Sequence, residues 1–391
     1  MRNRKYGAII ILLIILVGVI VLSMRPKPLQ KADPQTRGQT NNPPISAAAK
    51  VSDIKQVEAT TNSETVYLTQ EQQDSRQHKW GEPNLPGVDK ACQNGADAKV
   101  TLRIIDSRGA PVPEADIQMA FFPQDSYETA KITKGLTDKD GLFVASGKTV
   151  DDISFTAMKT NYYVTSRKFH FYWRGTECVK DGHWQPWNPT LEVVLKEKRK
   201  PIPMIAKKVE SKFPNAVPSM GFDFLVGDWV APHGKGVTAD MLYIYEEDRT
   251  DKNNVDLKLT LAFPGSGNGC YMRKKEKFST LMSDYEARLD NYSSNIVSRV
   301  YKQNGAYVYE DQITDDDYLV YRVRSSCDEK GNVVSAHYGK IYGPLEAPRD
   351  LSRIIKVVSY FNPTPNDRNL EFDGKNNLLK PDWKDSWPRN P

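Results

Sequence analysis

The stretch KVTLRIIDSRGAPVPEADIQMAFF at residues 99–122, followed by TKGLTDKDGLFVASGKT at 133–149, decides the fold class of this chain. Val100, Leu102 and Ile104 alternate with Thr101 and Arg103, the period of a half-buried strand. Asp106-Ser107-Arg108-Gly109 is turn chemistry, and Pro111-Val112-Pro113 keeps the next residues extended. Ala115, Ile117, Met119 and Phe121 alternate again. Ile132–Thr137 and Leu142–Ala145 flank Asp138-Lys139-Asp140-Gly141, a hairpin in which the glycine supplies a positive φ. Ile153–Met158, Tyr162–Phe171 and Leu191–Leu195 complete the set. Short strands with Gly, Pro and Asp between them predict a β-sandwich over 91–197.

Towards the N-terminus, Gly7–Met24 is apolar and uncharged. At about 1.5 Å per helical residue it reaches roughly 27 Å, close to a hydrocarbon core. Arg2, Arg4 and Lys5 precede it, which retains that end in the cytoplasm. Residues 1–24 are therefore expected to be a cytoplasmic tip and transmembrane signal anchor. That places the bulk of the chain on the periplasmic or extracellular side of the inner membrane. A cleaved signal peptide is the rival reading; Leu22-Ser23-Met24-Arg25-Pro26 is a poor cleavage site for one. Residues 25–90 are rich in Pro, Gln, Asn, Thr, Ser and Ala, and read as a disordered spacer.

Towards the C-terminus, Lys198-Arg199-Lys200-Pro201-Ile202-Pro203 opens a connector taken to run over 198–220. Residues 221–391 read as a second β-rich domain. Met241–Tyr245, Val255–Phe263, Tyr307–Tyr309, Tyr318–Val323, Val333–Ile341 and Ile354–Tyr360 are its expected strands. Phe278–Leu289 is its good helix candidate, because Leu281, Tyr285 and Leu289 share a helical face. The fold class is thus all-β: an N-terminal transmembrane helix, then two β-sandwich-like domains.

Asp106, Gly109, Pro111, Val112, Pro113, Ala115, Thr137, Asp138, Gly141 and Phe143 carry a resemblance to the carboxypeptidase-regulatory-like family, a transthyretin-type sandwich. The resemblance implies the fold and a non-catalytic supporting or binding role. Such modules accompany peptidases, transporters and surface proteins alike. This chain departs from the family by the insertion Arg174–Pro189 and by flanking cysteines. The two-part layout also resembles bacterial envelope proteins that carry stretches like GDWVAPHGKG (227–236) and FNPTPNDRNLEFD (361–373), which implies architecture alone.

The four cysteines are Cys92, Cys178, Cys270 and Cys327. Outside the cytoplasm an even count favours disulfides. Pairing within domains, 92 with 178 and 270 with 327, is the favoured of three connectivities; each bridge would be worth about 3–5 kcal/mol. Metal binding is unsupported, since no C-x-x-C or nearby His pair exists.

Catalytic motifs are missing from the sequence. His78, His170, His183, His233 and His337 form no H-x-x-E or H-E-x-x-H pair. Gly265-Ser266-Gly267-Asn268-Gly269 is no nucleophile elbow, and Gly234-Lys235-Gly236 is no phosphate-binding loop. No cofactor motif appears. A hydrolase using a carboxylate pair in the C-terminal domain is the alternative reading, with Asp223 and Asp228 or Asp315-Asp316-Asp317 as acids, although all of these sit in turn-like sequence. The net charge of +5, from 54 basic and 49 acidic residues, is too small and dispersed for a nucleic-acid partner. The binding candidate is the aromatic insertion FHFYWRGTECVKDGHWQPW at 169–187. Tyr172, Trp173, His183, Trp184 and Trp187 there have the amphipathic rings that suit sugar stacking or a protein contact. The expectation is a non-enzymatic, membrane-anchored protein that presents β-domains to an envelope protein or glycan.

Overall fold

The computed structural model describes residues 66–75, 87–124, 127–172, 178–214, 218–249, 254–303, 305–348, 353–379 and 388–391. The expected anchor at 1–24 and most of the spacer lie outside the described residues. Among the described residues no helix is long and apolar enough to cross a membrane.

Among the described residues the first sandwich has ten strands. They are β1 (Tyr67–Leu68), β2 (Ala96–Asp106), β3 (Asp116–Phe121), β4 (Lys131–Leu136), β5 (Leu142–Thr149), β6 (Asp152–Met158), β7 (Thr165–His170), β8 (Val179–Lys180), β9 (His183–Trp184) and β10 (Thr190–Leu195). One sheet is centred on β2, which pairs antiparallel with β5 and parallel with β10, in register from Thr190 opposite Thr101 to Leu195 opposite Asp106. The other runs β4-β3-β6-β7, antiparallel throughout. The alternation read from the sequence aims one side of each strand inward. Val100, Leu102, Ile104, Ile117, Met119, Ile153, Leu191 and Val193 are all fully buried between the sheets.

Part of the expected spacer belongs to this sandwich. Tyr67 and Leu68 extend the sheet beside β10, and a short helix, Gln70–Ser75, follows. Gln73 Nε2 donates to the carbonyls of Leu68 (2.8 Å) and Glu192 (2.9 Å), which ties that helix down. A second helix, Val88–Asn94, buries Val88 and Ala91 against the core. Low hydrophobicity over 25–90 therefore does not mean disorder throughout. A few apolar residues suffice where a sheet edge is available to pair with.

The second sandwich comprises β11 (Ile202–Lys212), β12 (Ser219–Asp223), β13 (Asp228–Trp229), β14 (Met241–Arg249), β15 (Val255–Ala262), β16 (Gly269–Lys274), β17 (Asn295–Gln303), β18 (Ala306–Glu310), β19 (Asp317–Cys327), β20 (Val333–Tyr342), β21 (Ile354–Asn362) and β22 (Phe372–Asn377). One sheet runs β16-β19-β20-β21-β11-β22 and the other β13-β12-β14-β15-β17-β18. Leu257, Leu259, Leu261, Phe222, Trp229, Tyr321 and Phe361 meet between them. The first of these sheets is covered on its outer face too, where Met204, Tyr318, Val320, Tyr342, Tyr360 and Phe372 form a further core.

Two expectations are corrected here. Residues from the supposed connector form β11, which lies between β21 and β22. Its pattern mixes charge with Ile, Met, Ala and Val, because Ile205 and Val209 face one core and Met204 and Ala206 the other. The helix candidate at 278–289 is an extended strip and not a helix. It makes bridges to partners far along the chain, Ser279 with Thr165 and Glu286 with Asn369. Side chains hold its backbone: Tyr318 Oη accepts from Asp284 N, and Tyr271 Oη from Arg288 N. Leu281 is buried, whereas Leu289, expected on the same face, is 71% exposed.

Candidate functional site: an aromatic corner and a polar seam

The aromatic insertion divides into a buried and an exposed half. Phe171 and Trp184 stack with centroids 6.0 Å apart inside the first core. Trp184 is fully buried, and its Nε1 donates to the Thr149 carbonyl at 2.8 Å. Tyr172 is also buried. His183 and Trp187 remain at the surface, meeting edge to face at 4.6 Å, with Trp187 42% exposed. Trp173 lies outside the described residues. Among its described residues the insertion thus offers one accessible aromatic pair, at the rim of the β2-centred sheet.

No disulfide joins the four cysteines. Cys92 and Cys178 both pack on the first core, near enough that a charge on one opposes a charge on the other. Burial, with Asp151 and Asp89 adding, pushes the Cys92 thiol up to about 11. The expected bridge between 270 and 327 is not formed either. Cys270 lies opposite Tyr321, six residues before Cys327 on β19, and points into the core between the sheets. A disulfide needs Cα atoms within about 7 Å.

Of the suspected acids, Asp315 and Asp316 are exposed, Asp316 pairing with Lys277 at 3.0 Å, and the other three are held by hydrogen bonds. Asp223 accepts from the backbone N–H groups of Leu225, Val226, Val237 and Thr238 at 3.0–3.1 Å, and from Arg324 Nη2 at 2.6 Å. Burial works to raise its pKa, but these donors outweigh that and hold it below the usual carboxylate value. Asp228 accepts from Trp229 N (2.8 Å) and Lys235 N (2.9 Å). The GDWVAPHGKG stretch is therefore a stapled loop. Asp317 is buried, accepts from the Thr314 N–H and hydroxyl, and pairs with Lys274 at 2.6 Å.

An open trough of about 580 Å³ crosses the outer face of β14, β15, β17 and β18. Glu246, Lys258, Arg299 and Glu310 line up there as one cross-strand row. Arg299 binds Asp256 at 2.5 Å and holds its carboxyl below the usual range, which suits an ion-paired surface better than a proton donor.

A dense polar network lies where the two sandwiches meet, and no motif marks it in the sequence. Residues 278–280 of the second sandwich complete the outer edge of β7. Ser166 N donates to the Phe278 carbonyl (3.0 Å) and Thr280 N to the Val164 carbonyl (2.9 Å). Arg167 lies over the Phe278 ring at 4.1 Å. Lys196, at the end of β10, reaches across to the carbonyls of Leu281 (3.3 Å) and Ser283 (3.0 Å) and to Glu276 (2.7 Å). In return Glu371, almost fully buried, accepts from Tyr163 Oη (2.7 Å), Arg199 N (2.9 Å) and Lys200 N (2.7 Å). Burial first, and then Glu371, push the Tyr163 hydroxyl far above its ordinary pKa, so it stays a donor.

No family model matches the chain, and no curated protein matches it. Solved structures overlap with it weakly. A 3-chlorocatechol 1,2-dioxygenase from Rhodococcus opacus 1CP is 13% identical over 30% of this chain and 71% of its own, with a TM-score of 0.22. A catechol 1,2-dioxygenase from Acinetobacter radioresistens is 12% identical over 27% of this chain, with a TM-score of 0.21; the match spans 53% of that enzyme. A streptococcal ancillary pilin is 11% identical over 71% of this chain and 62% of its own, with a TM-score of 0.20. Overlaps at this level assign neither family nor activity.

Proposed function

We propose that this chain is a non-enzymatic envelope protein, anchored in the inner membrane by residues 1–24, whose two sandwiches stand as one stiff body and dock an envelope protein or glycan. The observation that carries this reading is the seam. An edge strand completed by the neighbouring domain, together with buried side chains crossing both ways, couples the two sandwiches mechanically. Such coupling serves presentation at a fixed geometry. In this reading the first sandwich is a carboxypeptidase-regulatory-like module working without a peptidase. The His183–Trp187 corner is its contact face, an apolar ring beside a polar one.

The test is binding by the full chain to a glycan array and to envelope extracts, with Trp187→Ala and His183→Ala as variants. Binding lowered at least tenfold by Trp187→Ala supports the reading. Binding that both variants leave intact removes the corner from it. Turnover of a glycan or peptide by the purified chain would overturn it.

A further inference from the structure

Lys340 is fully buried in the middle of β20, on the face turned towards the first sandwich, and the presenting role gives it no task. Val320 and Tyr360 stand opposite it on β19 and β21. Its Nζ lies 5.2 Å from the centroids of both Tyr342 and Tyr360, and donates to Ser283 Oγ at 2.8 Å. Lys196 Nζ donates to the carbonyl of that same Ser283 at 3.0 Å. Two amines from two different sandwiches thus converge on one residue of the strip that joins them.

The charges around this pair are already committed. Glu276 is bound to Lys196, and Lys196 also sits 5.0 Å from the Tyr285 ring. Glu371 is the remaining anion that acts on Lys340, but its oxygens take the Tyr163 hydroxyl and two backbone N–H groups. Arg199 also lies over the Tyr285 ring, at 4.0 Å. Tyr342 supplies a ring and a neutral hydroxyl, which donates to an oxygen of the C-terminal Pro391 at 3.2 Å, and Tyr360 supplies a second ring. A buried ammonium at Lys340 therefore has a second cation nearby and no carboxylate of its own. Burial first, and Lys196 second, favour the neutral amine.

We propose that the seam is an acid-sensitive latch: proton uptake at Lys340 sets a second ammonium beside Lys196 and loosens residues 278–283 from β7. Loosening lets water reach Lys340, so the open arrangement binds the proton more tightly than the closed one. Falling pH then shifts the population towards open, in proportion to that difference in proton affinity. The proton comes from a solvent hydronium ion, whose O–H bond breaks as the N–H bond at Lys340 Nζ forms, and no other bond changes.

Hydrogen exchange on the full chain tests this. The amides of Ser166 and Thr280 report the seam, and that of Leu259 in β15 reports the distant core. Rates at pH 8 and pH 5.5 are corrected for intrinsic exchange. The expected result is at least a tenfold loss of protection at Ser166 and Thr280 on acidification, no change at Leu259, and no loss in Lys340→Met. Lys340→Gln reads the same outcome should the methionine variant fold poorly. Equal loss in wild type and variant would assign the effect to Glu371 or another carboxylate and overturn the proposal. Unchanged protection in the wild type would overturn it as well.

Discussion

Tyr163 and Glu371 are 208 residues apart in the chain and 2.7 Å apart in the fold. Nothing local marks either, which is why the seam was invisible to a reading of strand periods. Tyr163→Phe leaves the Glu371 carboxylate one donor short in a dry environment, at an expected cost of about 1–3 kcal/mol in urea unfolding. Lys340 has the opposite sign. The native fold favours its neutral amine, whereas the unfolded chain binds that proton up to about pH 10.4. Stability therefore falls as pH drops from that value towards the lowered native one. Lys340→Met is expected to raise the unfolding midpoint at pH 7, with the gain shrinking as pH approaches 10. Cys270 is 1% exposed, and burial pushes its thiol up to about 12. It should resist alkylation in the native protein at pH 8 while the half-buried Cys327 reacts, as mass spectrometry of the labelled peptides would show. Among the tryptophans, Trp184 and Trp187 look alike in sequence. Only the pairing of β9, with Trp184 facing Val179, decides that one is core and the other surface.

At the scale of elements, the legible parts were the strands whose one face is buried, since alternation of side chains is a local property. β2, β3, β6 and β15 are of this kind. The illegible parts owe their form to distant partners. β11 is covered on both faces, so its sequence carries no clean alternation, and its prolines read as a connector. The strip at 278–289 shows helical spacing, yet Thr165, Tyr318 and Asn369 claim its backbone and neighbourhood. In the loop at 227–236, Gly234 has a specific reason. A Cβ on Gly234 would lie 2.4 Å from the Trp229 carbonyl oxygen and 2.7 Å from an Asp228 carboxylate oxygen. Gly234→Ala is expected to cost about 1–3 kcal/mol through forced displacement of that loop, read as a lowered melting temperature.

For the molecule as a whole, the seam joins two separate hydrophobic cores. Coupled cores unfold together when the interface between them is worth more than the stability difference they would otherwise show. Calorimetry of the wild type should give one transition. The double variant Tyr163→Phe, Glu371→Gln should split it in two, with the first sandwich and the second melting at different temperatures. A single transition in the double variant would mean that the strip at 278–280 is sufficient on its own.

That strip also limits how the molecule can be divided. The outer edge of β7 is finished by residues that arrive more than a hundred positions later in the chain. Until residues 278–280 are made, a nascent first sandwich exposes a bare strand edge, open to any extended peptide. A clone ending near residue 197 would keep that state permanently, and self-association of such a fragment should be expected where the full chain is monodisperse. The two halves are thus poor interchangeable parts: each domain swap or truncation has to carry the three-residue patch with it.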